Sequence, residues 1–186
     1  MTFFSHSLRR PTLIVGAVLI QLAAGWSAAP AQRVSEDQVK AAYLYNFAKF
    51  VEWPSQKFAT PAAPIRFCVF RDASFQSELG TIAKGKAIAG HSLEVAGITE
   101  ADEARACHIV FVSSAHDRHA AQVIEAVRGA NVLTVGETTT FLEEGGTISF
   151  ILESEHVHFE INHKAANGSQ LYVSSRLLGL ASRVIE

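Results

Sequence analysis

Apolar residues between positions 39 and 53 follow a helical spacing. They recur every three or four positions in two adjoining rows: Val39, Tyr43, Phe47 and Phe50, and then Leu44, Ala48 and Val51. This spacing predicts a helix with a broad apolar face. Ser35 and Gln38 predict a capping box at its start, and Pro54 predicts that the helix ends at Trp53. We expect a sheet to cover most of the apolar face, with an exposed partner surface as the alternative.

Short β-prone runs alternate with helical patterns after Pro54. Strands are predicted at 65–70, 91–98, 107–112 and 131–135. Helices are predicted at 73–84, at 99–105, from Ser113 or Ser114 to Gly129, and at 138–144. The third strand is apolar on both faces, which is typical of a central strand in a parallel sheet.

The pattern changes after residue 146. Residues 147–152 and 156–162 are predicted to form an antiparallel hairpin, 164–169 a polar loop or short helix, and 171–185 a closing amphipathic helix. Together these elements predict an α/β fold, a three-layer sandwich with a mainly parallel central sheet and a C-terminal antiparallel hairpin. If the strand order is flavodoxin-like, 2-1-3-4-5, the first and third predicted strands are neighbours.

The first 31 residues have the pattern of a signal peptide. Arg9 and Arg10 give a positive start, 13–20 form an unbroken apolar run, and Ala29-Pro30-Ala31 is a suitable cleavage site. The apolar run is short for a membrane span, which needs about 20 residues. We therefore expect an exported protein that begins at Gln32, with 32–186 as a single domain, in a bacterial periplasm or outside the cell.

Removal of the signal peptide would leave an acidic protein. The segment contains two of the 16 Lys and Arg residues and none of the 18 Asp and Glu residues, so the formal charge would change from −2 to −4. No basic run of the kind that follows a phosphate backbone is present. The sequence therefore gives no support for nucleic acid or an anionic membrane surface as a partner.

The two cysteines, Cys68 and Cys107, both lie in the predicted domain. An even number of cysteines in an oxidising compartment favours a disulfide, and two buried thiols are the alternative. The flavodoxin-like order would place them on adjacent strands, where a bridge is geometrically reasonable.

The chemistry-bearing residues do not form a recognisable active site. Walker A, G-x-G-x-x-G, G-x-S-x-G and C-x-x-C patterns are absent from the sequence. The pairs His156/His158 and His116/His119 have spacings that could bind zinc or copper, but no H-E-x-x-H motif or spare cysteine accompanies them. We expect no catalytic residue, metal or cofactor, and we expect these histidines to be solvated or hydrogen-bonded.

Glu160 and Asn162 interrupt an otherwise apolar strand, and their spacing places both side chains on one face. They could form a polar recognition patch. Alternatively, they face solvent, or Asn162 caps the segment that follows.

Seven short segments resemble a known family: YLYNFAKFVEWP at 43–54, FCV at 67–69, CHIVF at 107–111, VLTV at 132–135, GGTI at 145–148, FEIN at 159–162 and SSRLL at 174–178. In this order they are similar to the YfiR family of periplasmic proteins. The resemblance implies a Cys68–Cys107 bridge. A second bridge known in the family cannot form because this chain has two cysteines.

The resemblance implies a regulator and not an enzyme. Such a protein represses an inner-membrane diguanylate cyclase by binding its periplasmic portion, which lowers cyclic-di-GMP signalling and biofilm formation. An outer-membrane lipoprotein can sequester the regulator, and a homodimer is expected. Tyr45 and Trp53 on the opening helix, and the strand that carries Glu160 and Asn162, are the candidate partner-binding residues. The alternatives are an exported small-molecule-binding module that uses the crevice at the strand ends, or an exported redox or metal enzyme.

Overall fold

The computed structural model describes residues 1, 2 and 35–186. The predicted signal peptide and its cleavage site, apart from the first two residues, lie outside the described residues. The contacts divide the chain into two units, and the fold described below is that of the second unit, Arg33–Glu186.

The opening helix, α1, spans Glu36–Phe50 and has the predicted capping box. Ser35 Oγ accepts a hydrogen bond from the backbone N–H of Gln38, and Gln38 Oε1 accepts one from the backbone N–H of Ser35. The prediction that this helix continues to Trp53 is wrong. Val51–Glu52 form a short strand, β1, which pairs with a strand near the C terminus, and this pairing extends the backbone before Pro54 is reached.

Nine further strands follow: β2 Ile65–Phe70, β3 Ala87–Ile88, β4 His91–Ile98, β5 Ile109–Val112, β6 Leu133–Gly136, β7 Ile148–Glu153, β8 His156–Asn162, β9 Tyr172–Val173 and β10 Arg183–Ile185. Eight of the described strands form the main sheet, in the order β10-β8-β7-β6-β5-β2-β4-β3. Neighbours from β4 to β7 pair in parallel, and β7 and β8 form the antiparallel hairpin. The flavodoxin-like order of the first five predicted strands is therefore confirmed.

The remaining α-helices are α2 Ala73–Ala83, α3 Ala120–Ala126, α4 Thr139–Glu143, α5 His163–Gly168 and α6 Ser175–Leu178. Two of the predicted helices are wholly or partly 3-10 helices instead. The first is Ala101–Ala106, and the second is Ser114–His119, which leads directly into α3. A further 3-10 turn, Ser55–Lys57, follows Pro54.

The prediction of one closing helix over 171–185 is wrong. The segment contains β9, the single turn of α6 and the edge strand β10. Backbone pairing decides the outcome, because β9 completes a ladder with β1 and β10 pairs in parallel with β8. The apolar spacing reflects this, since Leu177 is buried whereas Leu180 is 63% exposed.

Each face of the sheet has its own apolar core, so the predicted three-layer α/β architecture is confirmed. Alternate strand residues such as Phe67, Val69 and Phe111 pack against α1 and α2 on one face. The intervening residues, such as Phe70 and Val110, pack against α3 and α4 on the other. This alternation follows from the two-residue period of a strand.

A disulfide joins Cys68 on β2 to Cys107, two residues before β5. Their Cα atoms are 5.9 Å apart, and each residue is 1% exposed. The bridge ties two neighbouring strands together inside the core on the α3 side.

Candidate functional site

Two of the predicted partner-binding residues, Tyr45 and Trp53, lie on one surface of the domain. This surface contains a groove of about 340 Å³ between the end of α1 and the β3–β4 turn. We call it the Trp53 groove, and it is lined by Ala48, Lys49, Val51, Glu52, Trp53, Phe58, Ile65, Ile88, Ala89 and His91. Its lining is mostly apolar, and its volume suits a few side chains of a partner.

Trp53 is held in a fixed position at the groove. Its Nε1 donates a hydrogen bond to the carbonyl oxygen of His108 at 3.2 Å. The indole meets the His108 imidazole edge to face, with ring centroids 5.7 Å apart. The strand β1 on one side and Pro54 on the other restrict the backbone. Trp53 is therefore a half-buried, preorganised aromatic residue, which is the kind of anchor that protein interfaces favour.

Three further aromatic rings, those of Phe58, His91 and His108, pack together beside Trp53. The ring of Phe58 lies between two imidazoles, with centroid distances of 4.2 Å to His91 and 4.7 Å to His108. His108 is 5% exposed, and its Nδ1 accepts a hydrogen bond from the backbone N–H of Arg66 at 3.1 Å. Burial, followed by the charge of Lys57, lowers the pKa of His108 to about 4. The His108 ring that Trp53 contacts is therefore uncharged at neutral pH.

Lys57 fixes the turn that carries Phe58. Its Nζ donates hydrogen bonds to the carbonyl oxygens of Ala130 at 2.7 Å and Arg105 at 3.0 Å. Burial, with a smaller effect from the charge of Arg105, lowers the pKa of Lys57 to about 8. The lysine joins the 3-10 turn after Pro54 to the 3-10 helix before β5 and to the loop before β6.

Tyr45 is half-buried on α1 and lies beside two lysines. Lys86 Nζ is 4.4 Å from the centroid of the Tyr45 ring, and Lys49 Nζ is 5.5 Å from it. Cations at these distances are attracted to the face of an aromatic ring. Because Lys49 also lines the Trp53 groove, it makes Tyr45 and Trp53 parts of one continuous surface.

The structure does not bring Glu160 and Asn162 to this surface. They lie on β8, next to the β10 edge of the sheet, whereas β3 next to the groove is the opposite edge. Glu160 Oε2 is 2.5 Å from Arg183 Nη2 on β10. Asn162 caps α5 by accepting from the backbone N–H of Ala165, and its Nδ2 donates to the carbonyl oxygen of Leu142. Both side chains thus have partners within the domain.

An ion pair lies at the carboxyl ends of β5 and β6. Lys40 Nζ is 2.5 Å from Glu137 Oε1, and Glu137 Oε2 accepts from the backbone N–H of Ser114 at 2.6 Å. Lys40 also pairs with Glu36. Burial acts to lower the pKa of Lys40, but pairing with the two carboxylates outweighs it and raises the pKa. In flavodoxin-like folds the ligand site is the switch point between the first and third strands, here β2 and β5, so this ion pair lies beside that position and not at it.

The two histidine pairs do not assemble into a larger cluster. The rings of His156 and His158 are 6.5 Å apart on β8. His116 and His119 both lie near Phe70, with centroid distances of 6.3 Å and 5.6 Å. Among residues 1, 2 and 35–186, no group of three or more His, Cys, Asp or Glu side chains is placed to hold a metal ion.

The helices of the described residues include none that is long and apolar enough to cross a membrane.

The comparison with solved structures found similar α/β domains. A conserved domain protein of Vibrio cholerae matches with a TM-score of 0.58 and 12% identity over 81% of this chain. A domain from Streptococcus pneumonia in complex with L-Trp matches with a TM-score of 0.47 and 13% identity over 80% of this chain. The chain spans 60% of the length of each of these two structures. The similarity to the Vibrio protein supports the fold alone.

A search of the curated proteins found no match. By contrast, a family model described as YfiR/HmsC-like matches residues 37–182, which is well over half of the chain and nearly all of the described domain. The chain therefore belongs to the YfiR/HmsC-like family.

Proposed function

We propose that this protein binds the periplasmic portion of an inner-membrane diguanylate cyclase and holds the cyclase inactive, which lowers cyclic-di-GMP signalling and biofilm formation. The family match over residues 37–182 is the observation that carries this proposal. The protein acts by binding and not by catalysis, and it requires no cofactor.

Repression of this kind needs only differential affinity. A protein that binds the inactive state of the cyclase more tightly than the active state shifts the population toward the inactive state. A shift from mostly active to mostly inactive requires a preference of about 10⁴-fold, or about 5.5 kcal/mol. The regulator therefore needs a surface with well-anchored contacts.

The Trp53 groove is the contact surface that the geometry favours. Trp53 is fixed by its hydrogen bond to His108 and by the extended backbone of β1, so binding would cost little side-chain entropy. Glu160 and Asn162 stay candidates from the sequence, but their internal partners make them weaker candidates than Tyr45 and Trp53.

We also propose where the protein acts, in which oligomeric state, and with which second partner. The signal peptide is removed after about Ala31, the mature protein acts in the periplasm as a homodimer, and an outer-membrane lipoprotein can sequester it. The alternative, a small-molecule-binding module, would use the crevice at the strand ends.

The test is a capture experiment with the tagged mature protein, residues 32–186, and gently solubilised membranes of the source organism. We expect mass spectrometry to identify a protein that has both a periplasmic sensor domain and a cytoplasmic cyclase domain. Trp53→Ala is expected to reduce the recovery of this protein at least tenfold, as is typical of an interface anchor. Thermal unfolding of the variant shows whether its fold is retained.

The matched control is Leu152→Ala, which removes an exposed apolar side chain, 55% accessible, from β7. It is expected to leave recovery unchanged. Recovery of no membrane cyclase by the unaltered protein would refute the proposed function. Loss of recovery with Leu152→Ala but not with Trp53→Ala would keep the function and move the contact surface to the β7–β8 hairpin.

A further inference from the structure

The surface around the Trp53 groove carries positive charge on a chain whose net charge is negative. Lys49, Lys84 and Lys86 are all exposed, and within residues 35–186 none of them forms an ion pair. Arg66 and Arg183, in contrast, are neutralised by carboxylates on neighbouring strands. The chain as a whole has a formal charge of −2. The local charge of this surface is thus opposite to the charge of the molecule.

Lys49 and Lys86 belong to the same surface as the apolar lining. Lys49 lines the groove and also lies beside Tyr45, and Lys86 lies over the same ring from the loop that leads into β3. Lys84 is the C-cap of α2, two residues before Lys86. Among the residues that line the groove, Glu52 is the one carboxylate.

We infer that the Trp53 groove receives an acidic segment of the cyclase's periplasmic portion, with an apolar or aromatic side chain of that segment inserted beside Trp53. This inference rests on the proposed function and adds to it the chemistry of the partner. The apolar lining provides the anchor, and the surrounding lysines attract and orient a segment rich in Asp and Glu.

A protein segment fits this surface better than the other anionic partners. Nucleic acid or an anionic lipid surface would meet a few lysines on a protein of negative net charge, whereas such partners select long basic tracts. Neither would use the apolar groove beside the lysines. A short acidic segment matches both the small basic area and the volume of about 340 Å³.

Exposed charges near an interface act mainly on the association rate and on its salt dependence. Reversing two of them should therefore weaken binding strongly at low ionic strength and less at high ionic strength, where the Debye length is shorter. This salt signature distinguishes an electrostatic role from simple damage to the fold, which would weaken binding equally under both conditions.

The experiment compares Lys49→Glu/Lys86→Glu with a control, Arg118→Glu/Lys164→Glu, which makes the same change in net charge at two exposed positions on other elements. The probe is the purified periplasmic domain of the cyclase identified by the capture experiment. Its Kd is measured at about 50 mM and about 300 mM NaCl. We expect the Lys49/Lys86 variant to bind at least about tenfold more weakly at low salt, with a smaller difference at high salt. The control is expected to bind like the unaltered protein.

Other outcomes overturn the inference in different ways. Equal binding by the two double variants, or equal weakening of binding in both, would show that the groove does not receive an acidic segment. The proposed function would remain intact. If the Lys49/Lys86 variant loses self-association but keeps cyclase binding, the groove is an interface with a second copy of this chain. If the unaltered protein does not bind any cyclase domain, both the inference and the proposed function are wrong.

Discussion

His108 has no charged role in the proposed interface, yet the position of Trp53 depends on it. Its carbonyl oxygen accepts from the indole, and its imidazole packs against Phe58. The buried position of the ring favours its uncharged form, because a charged imidazole in this place would lose its hydration. The Trp53 groove should therefore be sensitive to acid through a residue that does not line it.

We predict that acidification destabilises the fold through His108. Its pKa is about 4 in the folded protein and 6.5 without the effects of burial, so the unfolded state takes up this proton first as the pH falls. The contribution of His108 to the free energy of unfolding is then fully present above about pH 6.5. It decreases by about 3 kcal/mol as the pH falls to 4.

Urea unfolding between these pH values measures the effect. His108→Gln keeps a side chain that can accept from the Arg66 N–H but cannot titrate, so this variant should lose part of the pH dependence. The comparison variant is His158→Gln, at an exposed histidine on β8. An unchanged pH dependence in His108→Gln would show that other groups cause the acid sensitivity.

The disulfide links β2 to the segment that enters β5, and these are adjacent elements in the centre of the sheet. Its cysteines are 39 residues apart, so in the chain-entropy model the bridge stabilises the fold by about 4 kcal/mol. We predict that Cys68→Ala/Cys107→Ala lowers the free energy of unfolding by about this amount. Urea unfolding of the variant, of the oxidised protein and of the reduced protein measures the difference.

A thiol assay provides the independent check. Protein purified without reductant and unfolded in denaturant should show no free thiol. Without denaturant, added reductant should act slowly, because Cys68 and Cys107 are each 1% exposed. Two free thiols in the unreduced, unfolded protein would contradict the bridge.

The elements that the sequence predicts correctly are those whose local signals agree with their pairing. The strand Ile65–Phe70 was predicted with its exact bounds because Pro64 and Asp72 flank an apolar run. The segment after Leu171 was predicted wrongly, because its apolar spacing is compatible with a helix while its backbone is used by β8 and β1. Long-range pairing of this kind leaves no local signal.

The candidate site also combines residues that have a local signal in the sequence with residues that only the fold brings together. Tyr45 and Trp53 stand out in the sequence because they are aromatic residues on a helix that was expected to pack against the sheet. The rings beside Trp53 come from Phe58, His91 and His108, which belong to three separate segments. The fold alone brings these rings together, so the sequence does not predict the groove that they form.

At the level of the whole molecule, the proposed function requires the protein to reach the periplasm. The regulator must meet the periplasmic portion of the cyclase, so it must be exported even though cyclic-di-GMP is made in the cytoplasm. We predict that cells lacking this protein contain more cyclic-di-GMP and form more biofilm, and that the full chain restores the normal level. A chain that lacks residues 2–31 should fail to restore it, despite having the complete domain that the family model matches.

The control for that experiment replaces residues 1–31 with an unrelated cleavable signal peptide, which should restore repression. Mass spectrometry of the exported protein should also find an N terminus near Gln32. Because the described domain begins its first helix at Glu36, cleavage there would leave the capping Ser35 in place. Restoration by the version without a signal peptide would contradict a periplasmic site of action. Failure of the version with the replaced signal peptide would show that residues 1–31 do more than direct export.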